Sequence, residues 1–132
     1  MAAKRFEVLS KFRETNASIG LHVMPIIPYL TDFQDNFEEL CSQASNSSVD
    51  YLLPGTLYLP ETLYLRVNVR TRFFDFIQKE SPEIEDRLRA LYKTGGAGNP
   101  YKEEMHKALN KIRDMYNLSD NYMKPMKERL NR

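Results

Sequence analysis

The side chains that most often do chemistry are few and scattered in this sequence. His22 sits in an apolar run read as a buried strand, and His106 on a helical stretch without a second histidine at ligand spacing. Neither is expected to build a metal site. The single cysteine, Cys41, falls on the apolar stripe of a helix, where a thiol behaves as a small hydrophobe and no neighbouring base activates it. Gly95, Gly96 and Gly98 invite comparison with a phosphate cradle. Such a cradle needs a preceding strand and a Gly-Lys-Ser/Thr ending, whereas this loop joins two helical stretches and reads as an interhelix hinge. Arg66, Arg70 and Arg72 form a local basic cluster able to meet a phosphate or carboxylate, although a solvated or ion-paired face is the plainer account.

One segment has more to offer, Met24-Pro25-Ile26-Ile27-Pro28-Tyr29-Leu30-Thr31-Asp32. Ligands of parallel α/β sheets bind just beyond the carboxyl ends of the strands. Two prolines fix this rim, and the backbone carbonyls of Ile26 and Ile27 cannot all be spent on a sheet. A rigid strand-to-helix connection capped by Asp32 accounts for the same residues, and on physical grounds alone it is the stronger reading.

The elements that must position this rim follow from periodicity. Phe6, Leu9 and Phe12 recur at helical spacing over 5–12, with Asn16 as a C-terminal cap. The run 19–28 is nearly continuous and apolar, as in a parallel strand covered on both faces, and its prolines predict that pairing ends near Met24 or Pro25. Thr31-Asp32 is the expected N-cap of a helix whose stripe is Phe33, Phe37, Leu40, Cys41 and Ala44. Val49 to Leu53 is a second strand, so helix, strand, helix, strand gives a βαβ pattern with a right-handed crossover.

Pro54-Gly55 signals a turn or bulge. Between 56 and 74 two periodicities compete: a hairpin about Pro60-Glu61-Thr62, and a helix through Leu63, Val67, Arg70, Phe74 and Ile77, with the changeover placed at 66–70. Ser81-Pro82 opens a helix through Ile84, Leu88, Leu91 and Tyr92. Asn99-Pro100 opens a longer one through Tyr101, Met105, Ala108, Leu109, Ile112 and Met115, and a last segment from Ser119 is disturbed by Pro125.

Composition excludes classes more than it names one. With 132 residues, 42% hydrophobic, 28% charged and a formal net charge of +1, the chain reads as one ordinary globular domain with no global pull toward nucleic acid or membrane. The longest apolar run is too short to span a bilayer of about 30 Å. The first residues lack the apolar core of a secretory signal, which makes the cytoplasm the expected compartment. From Tyr101 onward eight Lys/Arg face five Asp/Glu, with Tyr101, Tyr116 and Tyr122 interleaved. Weak nucleic-acid contact is conceivable there, but the mixed signs describe an ordinary helical surface.

Several of these segments are similar to a known family. Arg5-Phe6-Glu7-Val8-Leu9 followed by Ile19 through Asp32 resembles the late barrel region of radical SAM proteins related to spore photoproduct lyase, the DNA repair photolyase-like group. There a helix beginning with arginine precedes a strand ending in a Pro-Ile-Ile-Pro-Gly-Leu-Asn-Asp-like turn. Tyr29 stands here for the glycine and Thr31 for the asparagine. Val49 to Leu59 resembles the next strand; Phe73 to Ile77, Ser81-Pro82-Glu83 and Leu91-Tyr92 resemble the closing helices.

The resemblance implies a partial (β/α) barrel-like unit over 1–93, with two or three mainly parallel strands and a crossover helix, and a helical C-terminal extension over 94–132. The family cleaves S-adenosylmethionine reductively with a four-iron four-sulfur cluster held by a CxxxCxxC loop. One cysteine cannot supply three thiolates, so this chain should not bind the cluster or be catalytic alone. What carries over is part of the S-adenosylmethionine and substrate rim, at Met24, Pro25, Ile26 and Ile27, with Thr56 and Tyr58 at the next strand end. A sheet edge left without its barrel neighbours should drive homo-oligomerisation or pairing with an N-terminal radical SAM half. The alternative is a small non-enzymatic α/β interaction module with weak nucleic-acid contact.

Overall fold

A computed structural model of the chain describes residues 2–60 and 69–131. In order the elements are α1 (Ala2–Lys11), β1 (Gly20–Ile26), α2 (Gln34–Asn46), β2 (Tyr51–Thr56), α3 (Val69–Glu80), a 3-10 turn (Pro82–Ile84), α4 (Glu85–Leu91), α5 (Asn99–Met115) and α6 (Met123–Leu130). β1 and β2 are parallel neighbours with α2 between them in sequence, so the mixed α/β expectation holds. Among the described residues the sheet has these two strands and is open, with no barrel-like closure. The hairpin expected about residues 60–62 falls largely on 61–68, outside the described residues. The described part of α3 begins at Val69, inside the interval expected for the changeover.

Helical periodicity builds the main core. Phe37, Cys41 and Ala44 of α2 are buried at i, i+4 and i+7, and Met105, Leu109 and Ile112 of α5 repeat the spacing. These residues form one cluster with Phe6 of α1, Ile26 of β1 and Leu52 of β2. Burying each Leu, Ile, Phe or Met side chain contributes about 1.5–3 kcal/mol. Met115, counted on the α5 stripe from its spacing, is instead 72% exposed, because the buried stripe runs from Ile112 to Tyr116 and leaves Met115 off it. A second cluster joins Leu59, Phe74, Ile77, Ile84, Leu88, Tyr92 and Ala97 under α3 and α4, and Tyr101 packs against both clusters.

The strands differ from expectation in coverage and in length. Leu21, Val23 and Ile26 pack into the helical core, while His22 and Met24 are exposed. β1 is therefore covered on one face, and His22 is not the buried histidine the apolar run suggested. Pairing does not stop at Met24: Val23 faces Pro54 and Ile26 faces Thr56, so an extra residue at Met24-Pro25, joined by a cis peptide, bulges opposite Gly55. Proline lacks the N–H that a regular ladder needs, and the bulge carries pairing past it. Pro54 and Gly55 lie inside β2, which starts at Tyr51 rather than Val49.

Helix ends are where side-chain capping expectations fail. α2 begins after Phe33, which makes no side-chain cap, because Thr31 and Asp32 are bonded to their own turn. α5 is capped from Gly98 at φ +84°, which places Asn99-Pro100 inside the first turn, and Ser81 makes no side-chain cap before Pro82. α1 stops at Lys11, and Thr15 rather than Asn16 organises the turn beyond it: its hydroxyl donates to Phe12 O at 2.7 Å and accepts from Ala17 N at 3.2 Å. Pro125 does not break α6. It lies in the first turn, where a helical N–H has no intrahelical partner, and it is buried.

Two helices end in the same left-handed turn. After α2, Ser48 (φ 59°) donates to Ser45 O and Val49 to Ala44 O. After α5, Asn117 (φ 55°) donates to Asp114 O and Leu118 to Arg113 O. Both are Schellman turns, and in each the following apolar residue, Val49 or Leu118, is buried. The second turn throws Ser119 onto the outer edge of β2: Leu52 N donates to Ser119 O at 3.1 Å and Ser119 N to Asp50 O at 3.0 Å. Arg113, 6% exposed, donates through Nη1 to Leu52 O at 2.9 Å and through Nη2 to Asn110 Oδ1. Asp50 completes the arrangement by accepting from Ile19 N at 2.8 Å and from Arg129 of α6 at 2.9 Å.

Arg113→Ala strands the buried Leu52 carbonyl and should lower unfolding stability by about 2–4 kcal/mol. The expected reading is a lower urea midpoint with an unchanged slope, and a loss under about 0.5 kcal/mol, the size of a surface substitution, would contradict this role.

Candidate functional site

The rim expected from the sequence lies at the carboxyl ends of the two parallel strands. Its backbone is more fully engaged than the residues suggested. Ile26 O accepts from Leu57 N at 2.9 Å, and Ile27 O accepts from Leu30 N at 3.1 Å and Thr31 N at 2.9 Å. Ile27 N donates to Thr31 Oγ1 at 2.8 Å, and Tyr29 N to Asp32 Oδ1 at 3.0 Å. Tyr101 closes the turn from α5, its hydroxyl donating to Asp32 Oδ2 at 2.7 Å, and burial together with this bond pushes the phenol pKa well up. The two carbonyls expected to be left over are thus already bonded within the chain. What the turn leaves unbonded is side chains.

Those side chains divide into two groups. Ile26 is 1% exposed and points into the core, so of the six expected rim residues it offers a ligand nothing beyond backbone. Met24 and Tyr58 are largely exposed, Pro25 is exposed, and Ile27 and Thr56 are half-buried. Thr56 is the ladder partner of Ile26, which brings the ends of the two strands together.

The sheet face opposite the helices extends this surface. Strand alternation puts Gly20, His22 and Met24 of β1 on it beside Tyr51, Leu53 and Gly55 of β2. Two glycines let larger side chains cross between strands. A Cβ on Gly20 would stand 2.0 Å from the Tyr51 ring, and one on Gly55 would stand 2.6 Å from Met24 Cγ. His22 meets the Tyr51 ring edge-on, with centroids 6.4 Å apart. Sequence reading missed Tyr51 and Leu53 here; the signal was their strand alternation with the buried Leu52.

Beyond β2 the chain is held by a second set of bonds. The Tyr92 hydroxyl donates to Leu57 O at 2.8 Å, Leu59 N donates to Gly95 O at 2.7 Å, and Arg70 Nη1 donates to Tyr92 O at 2.7 Å. These position Tyr58 over a cleft of about 290 Å³ that it shares with Pro60, Arg70, Lys93, Thr94 and Gly95. The glycine loop joins α4 and α5, as expected, and also packs against 57–60, with Gly95 (φ 91°) buried there. Of the basic cluster, Arg66 lies outside the described residues. Arg70 carries backbone carbonyls and stacks 5.3 Å over Phe74, and Arg72 is exposed.

The remaining candidates are accounted for in the core or on the surface. Cys41 is fully buried, and burial raises its thiol pKa, with Arg113 acting in the opposite direction. Among the described residues no three His, Cys, Asp or Glu side chains gather at metal-binding range, and no helix is long and apolar enough to cross a membrane. Of the basic residues after Tyr101, Arg113 is in the core and Arg129 is paired with Asp50, which thins that surface as a nucleic-acid footprint. No protein-family model, curated protein or solved structure matches this chain.

Tyr92→Phe should cost about 1 kcal/mol at neutral pH through the lost bond to Leu57 O. Burial raises the Tyr92 pKa from 10.0 to about 12, so the stability held by the protonated phenol is intact below pH 10 and is lost as pH rises toward 12. The deficit of the variant should therefore shrink over that interval in urea titrations, and parallel curves would contradict the assignment.

Proposed function

We propose that this chain is the late part of a radical SAM barrel of the spore photoproduct lyase-like group, supplying a share of the rim that holds S-adenosylmethionine and substrate. The observation that carries this reading is the one-sided dressing of the sheet. Phe6, Phe37 and Leu109, from α1, α2 and α5, all pack with Leu21, Val23 and Leu52 on one face, while His22 and Met24 on the other stay exposed. A free-standing parallel sheet is normally covered on both faces, whereas a barrel segment wears helices outside and keeps its second face for the interior. The turn after β1 adds support. Tyr29 occupies the position where the family turn has glycine, and its φ of 66° lies in the left-handed region that favours glycine.

On this reading Met24, Pro25 and Ile27, with Thr56 and Tyr58, contribute the rim, and Tyr51 and Leu53 line the interior wall behind it. An exposed thioether and an aromatic ring offer a flat, polarisable surface to an adenine or a sulfonium. The iron–sulfur cluster does not fit here, since the lone thiol is buried in the core, so the cleavage chemistry belongs to a partner that carries the cysteines. The chain's own contribution is to bind and orient.

A titration of the ¹⁵N-labelled chain with S-adenosylmethionine tests this. Amide shifts confined to 24–27, 51–53 and 56–58, with a Kd of about 1 mM as expected for part of a site, support the reading. Met24→Lys, on an exposed side chain, should weaken them about tenfold by setting a second cation against the sulfonium. Absence of shifts at several millimolar ligand, or shifts centred on the basic helices with DNA instead, would overturn it.

A further inference from the structure

The two edges of the sheet are not equivalent. At β2 the outer edge is occupied where Ser119 bridges Tyr51 and Arg113 holds the Leu52 carbonyl. β1 pairs with β2 along one edge, and among the described residues no strand meets the other. Beside that free edge, two adjoining hollows of about 490 and 260 Å³ run between α1 and β1 and share Arg5, Leu9 and Leu21. No residue of β2 lines either one. The smaller is lined by Leu21, His22 and Val23 in succession. Consecutive strand residues point to opposite faces, so a groove that reaches all three opens onto the strand's edge, where the backbone is presented.

Shape and charge define what fits there. The wall is apolar, with Val8 of α1 51% exposed above it. The cations Lys4 and Arg5 stand on the rim, and the nearest carboxylate on α1, Glu7, is within 3.9 Å of Lys11. A two-fold dimer through this groove would set α1 against α1, cation-rich surface on cation-rich surface, which disfavours a second copy as occupant.

We propose that the β1 edge is a strand-addition site for an extended, acidic segment of another polypeptide. Such a segment continues the sheet through main-chain hydrogen bonds, sets alternate apolar side chains into the groove under α1, and brings carboxylates to Lys4 and Arg5. On the barrel reading this edge is where a neighbouring strand pairs, so the proposal deepens that reading, while peptide binding at the edge and cofactor shifts at the rim stay separate readouts.

Three fluorescein-labelled heptapeptides of alternating valine and threonine test it by anisotropy against the full chain: one with two glutamates, one with two lysines in their place, and one glutamate peptide N-methylated on the amides of one edge. The acidic peptide should bind, with the lysine peptide about tenfold weaker and the methylated one silent. Val8→Glu, at an exposed position and checked for folding by circular dichroism, should weaken the acidic peptide about tenfold and spare the S-adenosylmethionine shifts. Equal affinity for acidic and basic peptides, no binding by any of them, or indifference to Val8→Glu would overturn the proposal. So would a dimer seen by sedimentation that Val8→Glu dissociates, since the occupant would then be a second copy.

Discussion

A two-stranded sheet has too little of itself to be stable, and this one is made tenable by a single buried guanidinium. Arg113 comes from α5, far along the chain, and takes the Leu52 carbonyl that a third strand would otherwise have satisfied. Burying a cation is costly unless its donors are used. Here Nη1 and Nη2 both find oxygen, on Leu52 and on Asn110, while Nε meets no hydrogen-bond partner among the described residues. The apolar packing of α5 against α2 sets that guanidinium beside β2, and the Schellman turn at Asn117 that follows brings Ser119 to the same edge. Asp50 does the corresponding work at the start of the strands, tying Ile19, Ser119 and Arg129 to one residue.

The rim at the other end of the strands is built differently. Most of its bonds are short-range, between Ile27, Tyr29, Thr31 and Asp32, with Tyr101 on Asp32 and Leu57 on Ile26 as long-range anchors. A turn that satisfies its own backbone is held by its own bonds, and the side chains of Met24, Pro25 and Tyr58 stand clear of it. The two sides of the sheet therefore have separate tasks. One is spent on the core, and the other keeps a thioether, an imidazole and a phenol at or near the surface.

What the sequence revealed was periodicity. The α2 stripe Phe37, Cys41 and Ala44, the α5 stripe Met105, Leu109 and Ile112, and the alternation of helix with strand were all legible, because burial recurs at spacings set by backbone geometry. What stayed hidden depends on partners distant in sequence. An arginine in a charged helix reads as surface, and only the Leu52 carbonyl, 61 positions away, makes Arg113 a core residue. Thr31 and Asp32 carry a capping signature, but a competing set of turn bonds claimed both side chains. The apolar run at 19–28 reads as a strand covered on both faces, yet His22 and Met24 are exposed, since a continuous run carries no period to say on which side of a strand the helices settle. The rim residues Met24, Pro25, Ile27, Thr56 and Tyr58 were legible as a place in the fold, while the bonded state of the Ile26 and Ile27 carbonyls was not.

Tyr101 packs against both hydrophobic clusters, and its hydroxyl is held by Asp32. The sheet cluster and the α3–α4 cluster thus share a wall, and a shared wall need not make them a single cooperative block. Among the described residues the helical cluster has no sheet ladder of its own, so the molecule has the makings of two exchange units, with amide protection in α3 and α4 lost ahead of that in β1 and β2. In that hierarchy Leu59, bonded to Gly95, belongs with the looser unit, Met24 stays with the firmer one, and Leu57, bonded to both Ile26 and Tyr92, joins them. The rim would then be assembled from parts of unequal stiffness, one half fixed and the other able to yield.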